Sequence, residues 1–519
     1  MRIFQTVLLK IASVFFITIL LNSSCSTIEK NDSNSKLPNI IYILADDLGY
    51  NELGCYGQNI IETPNIDKLS ENGIRFTQHY SGSPVCAPSR DVLLTGLHAG
   101  HAYIRGNDAV ATRGDVWDFE KASSNPYLEG QRPIPDSSIT IAELLKQKNY
   151  TTACIGKWGL GGPLTEGNPN KQGFDFFYGY NCQRQAHTYY PLHLWKNGLK
   201  DTLRNKLLKP HTPLAENLDP NNPESYIQYT DKDYSPDLMM KEALGFIENQ
   251  KNKPFYLYYA SPIPHVALQA PEKWIKKYHD KFGEEKPYTG NKGYYPSRYP
   301  RATYAAMISY LDDQVGQIVS KLKELGIYEN TLIIFSSDNG PTYTGGVDFE
   351  FFESSKPFHN GYGWTKGYLH EGGIRVPMIA SWPGHISKGT VSTHISAFYD
   401  VLPTICEITE IEKPQNTDGI SFLPELLGKD NVKHEYLYWE FAGYNGQQAV
   451  RMGKWKAIRK NIEKGNLEIE LYNLEKDLLE KNNVANENPL VIEKMEEIMR
   501  KEHTPSKHFK LTSLDSLMI

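Results

Sequence analysis

Two segments of this chain are apolar almost without interruption and stop abruptly on oxygen-bearing side chains. Residues 39–49 read NIIYILADDLG, and residues 331–340 read TLIIFSSDNG. The first run does not alternate polar with apolar, so it has no face suited to water, and the second repeats its design. A strand buried on both faces belongs in the centre of a mostly parallel sheet with helices on both sides. The runs break at Asp46-Asp47 and at Asp338-Asn339. Open parallel sheets present their ligands beyond the carboxyl ends of their strands. A single Asp-Asn-Gly is an ordinary turn signal, but two such endings on two central strands point to one shared site. Three carboxylates and an amide oxygen suit a hard cation, Ca²⁺ or Mg²⁺. The HxH, HExxH and paired CxxC spacings typical of zinc are absent from the sequence.

Helices punctuate the strands. TPNIDKLSENG, residues 63–73, offers Thr63 as N-cap, Pro64 at the first helical position and Gly73 as a stop. SITIAELLKQKNY, residues 138–150, predicts a second capped amphipathic helix. From 303 to 325, Ile308, Leu311, Val315, Ile318, Leu322 and Leu325 recur at helical spacing before Gly326. TTACIGKWGLG predicts a strand entering a Gly-rich loop, and PFYLYYA (254–260) a strand followed by SPIPH. Residues 160–235, rich in Pro, Asn and Tyr, read as a long functional loop. After about 430, EYLYWEF, AVRMGKWKAIRK and LEIELYNL predict short antiparallel strands, with a charged helix over about 488–502. The fold class expected is therefore α/β. A large, mostly parallel sheet flanked by helices spans 38–430, and a smaller α+β subdomain with an antiparallel sheet spans 431–519.

The N-terminus reads as an export signal. Arg2 and Lys10 precede an apolar run, Ile11 to Leu21, too short for a comfortable membrane span. It ends in LNSSC, similar to a bacterial lipoprotein signal over residues 1–25 with Cys25 as the lipidated residue, and a polar tether fills 26–37. An exported, lipid-anchored protein at the periplasm, outer membrane or cell surface of a bacterium is expected, touching membrane through the lipid alone. In an oxidising compartment Cys55, Cys154, Cys182 and Cys406 can pair, with connectivity open. A net charge of −6 gives no basic excess to hold nucleic acid.

One thiol stands apart. SGSPVCAPSRDVLLTG, residues 81–96, places Cys86 near Ser89 and Arg90 at a turn before an apolar stretch. A thiol is a poor ligand for a hard cation, so a cysteine next to such a site calls for a different explanation. Cys86-Ala87-Pro88-Ser89-Arg90 followed by LLTG resembles the signature of the type I, formylglycine-dependent sulfatases, which share the alkaline-phosphatase-like fold. The resemblance spans about residues 38–480 and includes DDLG, TPNID, GKWG (156–159), SPIPH (261–265), DNG (338–340) and KGYLHEGGIRVP (366–377).

The resemblance implies a sulfuric ester hydrolase acting on a sulfated carbohydrate. Cys86 would be converted to formylglycine by a formylglycine-generating maturase and act as a gem-diol through a covalent sulfo-enzyme intermediate. Asp46, Asp47, Asp338 and Asn339 would hold Ca²⁺, or Mg²⁺, together with residue 86. Arg90 would anchor that residue, while Lys157, His265 and Lys366 surround the sulfate and His265 protonates the departing sugar oxygen. The family commonly reads GKWHLG and has an Arg after the TG; here Gly159 and Leu97 stand instead. His101, in GLHAGH, is a candidate to replace the missing imidazole. In CQRQAHTYYPLHLW, Arg184, His187 and Trp195 are candidate sugar-binding groups. The motif set looks like that of enzymes acting on 4-sulfated galactose or N-acetylgalactosamine. Competing readings are a phosphatase or phosphodiesterase of the same superfamily, which would use a Ser or Thr nucleophile and two zinc ions, and an inactive glycan-binding lipoprotein.

Overall fold

A computed structural model describes residues 37–108 and 118–517. Ten strands form one sheet: β1 Asn39–Ala45, β2 Ile74–Tyr80, β3 Thr151–Lys157, β4 Phe176–Tyr180, β5 His193–Lys196, β6 Leu199–Thr202, β7 Phe255–Ala260, β8 Thr331–Ser337, β9 Arg375–Ser381 and β10 Thr390–Ala397. Their order is β10-β2-β9-β8-β1-β7-β3-β4-β5-β6. The five strands from β8 to β4 are mutually parallel, while antiparallel pairs occur toward both edges. Every residue of β1, β7 and β8 is buried, as their uninterrupted apolar sequences require. The helices on one face include Pro64–Glu71 (α1) and Pro300–Glu324 (α5), which contribute Ile66, Leu69, Ile308, Leu311, Val315 and Ile318 to a core shared with Ile41 and Ile43. Burying each such side chain stabilises by roughly 1.5–3 kcal/mol.

Local chemistry departs from expectation at several points. Thr63 stands at the N-cap of α1, but its hydroxyl accepts from Gly54 N at 2.8 Å and donates to Asp67 at 3.1 Å. The first turn is capped instead by Asp312 of α5, whose carboxylate accepts from Ile66 N at 2.7 Å and Asn65 N at 3.2 Å. The helix expected over 138–150 is only Ile141–Leu145 (α3), with a Thr140–Glu143 capping box, and tightens into a 3₁₀ turn that Asn149 ends at φ 58°. The stretch 160–235 is more ordered than expected: β4, β5 and β6 extend the sheet through it, and Ser235–Gln250 (α4) follows. Cys55, Cys86, Cys154, Cys182 and Cys406 are all free thiols, so the disulfides considered from sequence do not form. Cys25 and the apolar run before it lie outside the described residues. Among the described residues no helix is long and apolar enough to cross a membrane.

The C-terminal strands form their own antiparallel sheet in chain order: β11 Leu437–Phe441, β12 Gln447–Met452, β13 Trp455–Lys460 and β14 Ile469–Asn473. Helix Pro489–Glu502 (α6) seats Met495, Ile498 and Met499 on Val450, Ala457 and Leu471. This sheet is tied to the large one by Trp439, whose indole N–H donates to Ser81 O at 2.9 Å, and by Gln447, whose amide donates to Gly367 O at 2.8 Å.

Candidate active site

Four neighbouring parallel strands deliver the site. In β1 and β8 Ala45 lies opposite Ser337, so the next residues, Asp46 and Asp338, emerge side by side. Asp338 N donates to Ala45 O at 3.0 Å, and Asp47 N to the Asp338 carboxylate at 3.1 Å. Asp47 has φ 65°, a left-handed backbone that a non-glycine residue adopts at a cost of about 1–3 kcal/mol. Lys157 ends β3, and His265 follows β7. Cys86 is the first residue of helix Cys86–Thr95 (α2), with Arg90 one turn later.

The charges pair closely. Lys157 Nζ lies 2.5 Å from Asp46 Oδ2, Lys366 Nζ 2.6 Å from Asp47 Oδ2, and Arg90 Nη2 2.9 Å from Asp338 Oδ2. Arg90 also donates to the carbonyl of Lys157. Burial works against the Asp46 carboxylate, but Lys157, helped by His265, Arg90 and Lys366, overcomes it and holds the group well below the usual range. Burial, with Asp46 beside it, pushes Asp338 up. Cys86 Sγ sits 3.4 Å from Asp46 Oδ1 and 3.5 Å from Lys157 Nζ. Burial first, and then Asp46, drives its pKa up, which disfavours the thiolate. Burial lowers His265 to about 4, with Lys157 and Lys366 adding to the effect. Its Nδ1 donates to Val266 O, which leaves Nε2 bare, 3.7 Å from Asp47 Oδ2.

The donor set fits a hard cation. Asn339 Nδ2 donates to Asp47 Oδ1 at 2.8 Å and to Gly340 O at 2.9 Å, while its Oδ1 is buried without a hydrogen-bond partner. An orphaned amide oxygen beside buried carboxylates asks for a cation. Ligand atoms of Asp46, Asp47, Cys86 and His265 also lie within 4.8 Å of one another. Because a thiol and an imidazole both favour softer ions, the oxygen set of Asp46, Asp47, Asp338 and Asn339 is the better match for a hard cation. Above it opens a cleft of about 520 Å³, lined by Cys86, Lys157, Gln183, Arg184, His187, His265, Tyr294 and Lys366, with Phe441 and Tyr444 from the C-terminal sheet and its following turn.

The family described as Sulfatase matches residues 38–411, and the one described as N-sulphoglucosamine sulphohydrolase, C-terminal, matches 360–505. The chain belongs to the sulfatase family. It is a sulfuric ester hydrolase. N-acetylgalactosamine-6-sulfatase of Rattus norvegicus is 31% identical over 432 residues, which are 81% of this chain and 71% of that protein. N-acetylgalactosamine-6-O-sulfatase of Bacteroides thetaiotaomicron is 28% identical over 91% of this chain and 94% of its own. The crystal structure of Ps i-CgsB superposes with a TM-score of 0.69 at 29% identity, covering 90% of this chain and 92% of that one, and its complex with k-i-k-neocarrahexaose with 0.68 at 28%.

Two residues singled out in the sequence lie elsewhere in this sulfatase. Trp195 is buried in β5, where its indole N–H donates to Glu129 Oε1 at 2.7 Å, so it packs the loop and does not line the cleft. His101 stacks on His98, with ring centroids 4.1 Å apart, and bonds Asp418 at 3.0 Å, away from the cleft lining. The bond to Asp418 raises its pKa and favours the imidazolium, the wrong form for a base. That second cluster is also no metal site. Gly100 N donates to His98 Nδ1 at 3.1 Å, which leaves the proton on Nε2, 3.0 Å from Glu502. Gly159 has φ +83°, and a Cβ there would lie 3.0 Å from Gln183 Oε1. Gln183 thus fills the space beside Gly159, with Oε1 buried and unpartnered. Gln183 and Tyr294 escaped the sequence reading. Gln183 sits in the aromatic loop already singled out, whereas nothing in GNKGYYP distinguishes Tyr294.

Proposed function

We propose that this sulfatase removes a sulfate ester from a galactose or N-acetylgalactosamine residue of a sulfated glycan, with Cys86 matured to formylglycine. One observation carries the reading: a buried cysteine, its Sγ 3.4 Å from Asp46 Oδ1 and 3.5 Å from Lys157 Nζ, stands among carboxylates and cations at the floor of the cleft. As cysteine, residue 86 is a poor partner for the hard cation that the oxygen set suits. As formylglycine it supplies an oxygen nucleophile in the same place. A phosphatase of this superfamily would carry Ser or Thr at this position.

Asp46, Asp47, Asp338 and Asn339 would hold Ca²⁺, which when bound supplies charge to the sulfate oxygens and favours the ionised nucleophile. Lys157 and Lys366, both kept cationic by the buried carboxylates beside them, bind and orient the sulfate. Arg90, locked to Asp338 and to the carbonyl of Lys157, fixes the start of α2 and so the position of residue 86. His265 presents a bare Nε2 to the cleft. It can take a proton there and return it to the departing sugar oxygen. Arg184 and His187 line the approach and suit the polar edge of a sugar.

Both curated relatives named above are 6-sulfatases, so O6 is placed ahead of the O4 position expected from the sequence. A formylglycine-generating maturase, export, and a lipid anchor at Cys25 in a bacterial envelope complete the proposal. The test is sulfate release after co-expression with a maturase, across a panel of defined sulfated monosaccharides. The 6-sulfates of galactose and N-acetylgalactosamine should be cleaved faster than the 4-sulfates. No release from any sugar by protein bearing formylglycine would overturn the reading.

A further inference from the structure

The backbone N–H of Tyr294 donates to Nδ1 of His211 at 2.8 Å. An amide N–H can only donate, so this nitrogen is bare. Burial lowers the His211 pKa, so the ring is neutral and its single proton is on Nε2. Nε2 lies 2.9 Å from Nδ1 of His187 and donates to it. His187 in turn is bare at Nδ1. Burial, with His265, His211, Lys157 and Lys366, holds its pKa well below the ordinary value, so it too is neutral. Its one proton therefore resides on Nε2.

The contact is built with some strain. His211 has φ 71° and Tyr294 φ 62°, both left-handed and neither glycine. Gly293, at φ +82°, would bring a Cβ to 3.2 Å from His211 Nδ1, so the approach needs its missing side chain. The Tyr294 ring packs 4.6 Å from His211 and 5.1 Å from His187. His187 stacks on His265 with centroids 5.3 Å apart and an interplanar angle of 26°. His265 and His187, which both line the cleft, thus have opposite characters: His265 offers a lone pair at Nε2, and His187 an N–H.

We propose that His211 is a positioning residue that fixes the tautomer of His187, so that His187 presents an N–H donor to an oxygen of the sulfated sugar. This rests on the reading of the cleft as a sugar-sulfate site. It assigns a role to a loop residue more than 20 positions from the cleft's other polar groups in the chain, at a place where neither apolar pattern nor motif marks it.

The experiment compares three variants of the matured enzyme on the best sugar sulfate from the panel. His211→Gln keeps both functions, because its carbonyl accepts from Tyr294 N and its amide donates to His187. His211→Glu has nearly the same shape but only acceptors, and it pulls the His187 proton to Nδ1. His211→Leu removes the contact. Gln should keep kcat/KM within about 3-fold, while Glu and Leu lose about 10-fold or more, with thermal midpoints close to wild type. Wild-type kcat/KM in Leu or Glu, or a loss in Gln equal to that in Leu, overturns the inference alone. A wild-type enzyme that cleaves no sugar sulfate overturns the functional reading, and this inference with it.

Discussion

At the end of the large sheet, Asp46, Asp47 and Asp338 face Lys157, Lys366 and Arg90. Between the two sheets, Glu371 and Glu480 face Lys456 and Arg375. Both clusters are buried and both balance their charges. In the second, each oxygen of Glu371 has its partner: Lys456 at 2.8 Å on Oε1, and Arg375 at 2.9 Å and Tyr80 at 2.8 Å on Oε2. Its backbone N–H donates to Glu480 at 2.7 Å. Glu480 Oε1 has no hydrogen-bond partner but lies 3.2 Å from Lys456 Nζ, which balances its charge. The first cluster opens to a cleft, leaves Asn339 Oδ1 without a partner and holds a buried thiol among hard oxygen donors. Buried charge alone therefore does not mark a site. Access, together with unmet bonding capacity, does.

The contrast predicts that substitutions in the two clusters fail in different ways. Cys86→Ala should cut sulfate release by about 1000-fold or more, yet move stability by no more than about 1 kcal/mol. A variant that unfolds, or one that keeps its activity, would erase the distinction.

Glu371→Gln should do the reverse. Breaking a buried ion pair costs about 3–5 kcal/mol, while sulfate release per folded molecule stays near wild type. The pH dependence sharpens this. Burial opposes the Glu371 carboxylate, but Lys456 and Arg375 bring its pKa down to about 2. The unfolded value is about 4.3, so the pair's contribution is whole above that pH and drains away as the pH falls toward 2. Denaturant melts at several pH values should show this acid-side slope in wild type and a shallower one in Glu371→Gln. Equal slopes would remove Glu371 from the account.

Calcium should act on the first cluster alone. At about 100 times its Kd it should stabilise the protein by about 2.7 kcal/mol, and Asn339→Ala should abolish the gain while Glu371→Gln retains it. Stoichiometric zinc with the same effect would contradict the oxygen-donor reading. The smallest effect expected is at Gly159. Gly159→His meets both a left-handed backbone and Gln183, so it should cost about 1–3 kcal/mol and bring no rate gain. A faster enzyme would show that the site lacks a base that an imidazole at 159 can supply.

What the sequence disclosed follows from which forces are local. β1 and β8 were legible because their burial on both faces leaves no polar alternation, and α5 because its apolar positions recur over many turns. Their oxygen-bearing ends converge because register, Ala45 opposite Ser337, follows from the strands being neighbours. The edge strands β5 and β6 were not legible. They are four residues each, and β6 reads LKDT with every residue at least partly exposed. The capping of α1 by Asp312 was equally hidden, since it joins residues 247 and 246 positions apart. Trp195 and His101 looked like cleft residues by composition, but Glu129 and Asp418, both distant in sequence, hold them elsewhere. His211 went unnoticed because its role depends on a backbone N–H 83 residues away.

The central claim is that residue 86 acts as an oxygen nucleophile rather than a thiol. Peptide mass spectrometry of the catalytically active enzyme, made with a maturase, tests it most directly. The peptide spanning SGSPVCAPSR should be lighter than its cysteine form by about 18 Da, the difference between a thiol and an aldehyde side chain. Full sulfatase activity in protein whose residue 86 is entirely unmodified cysteine would contradict the account.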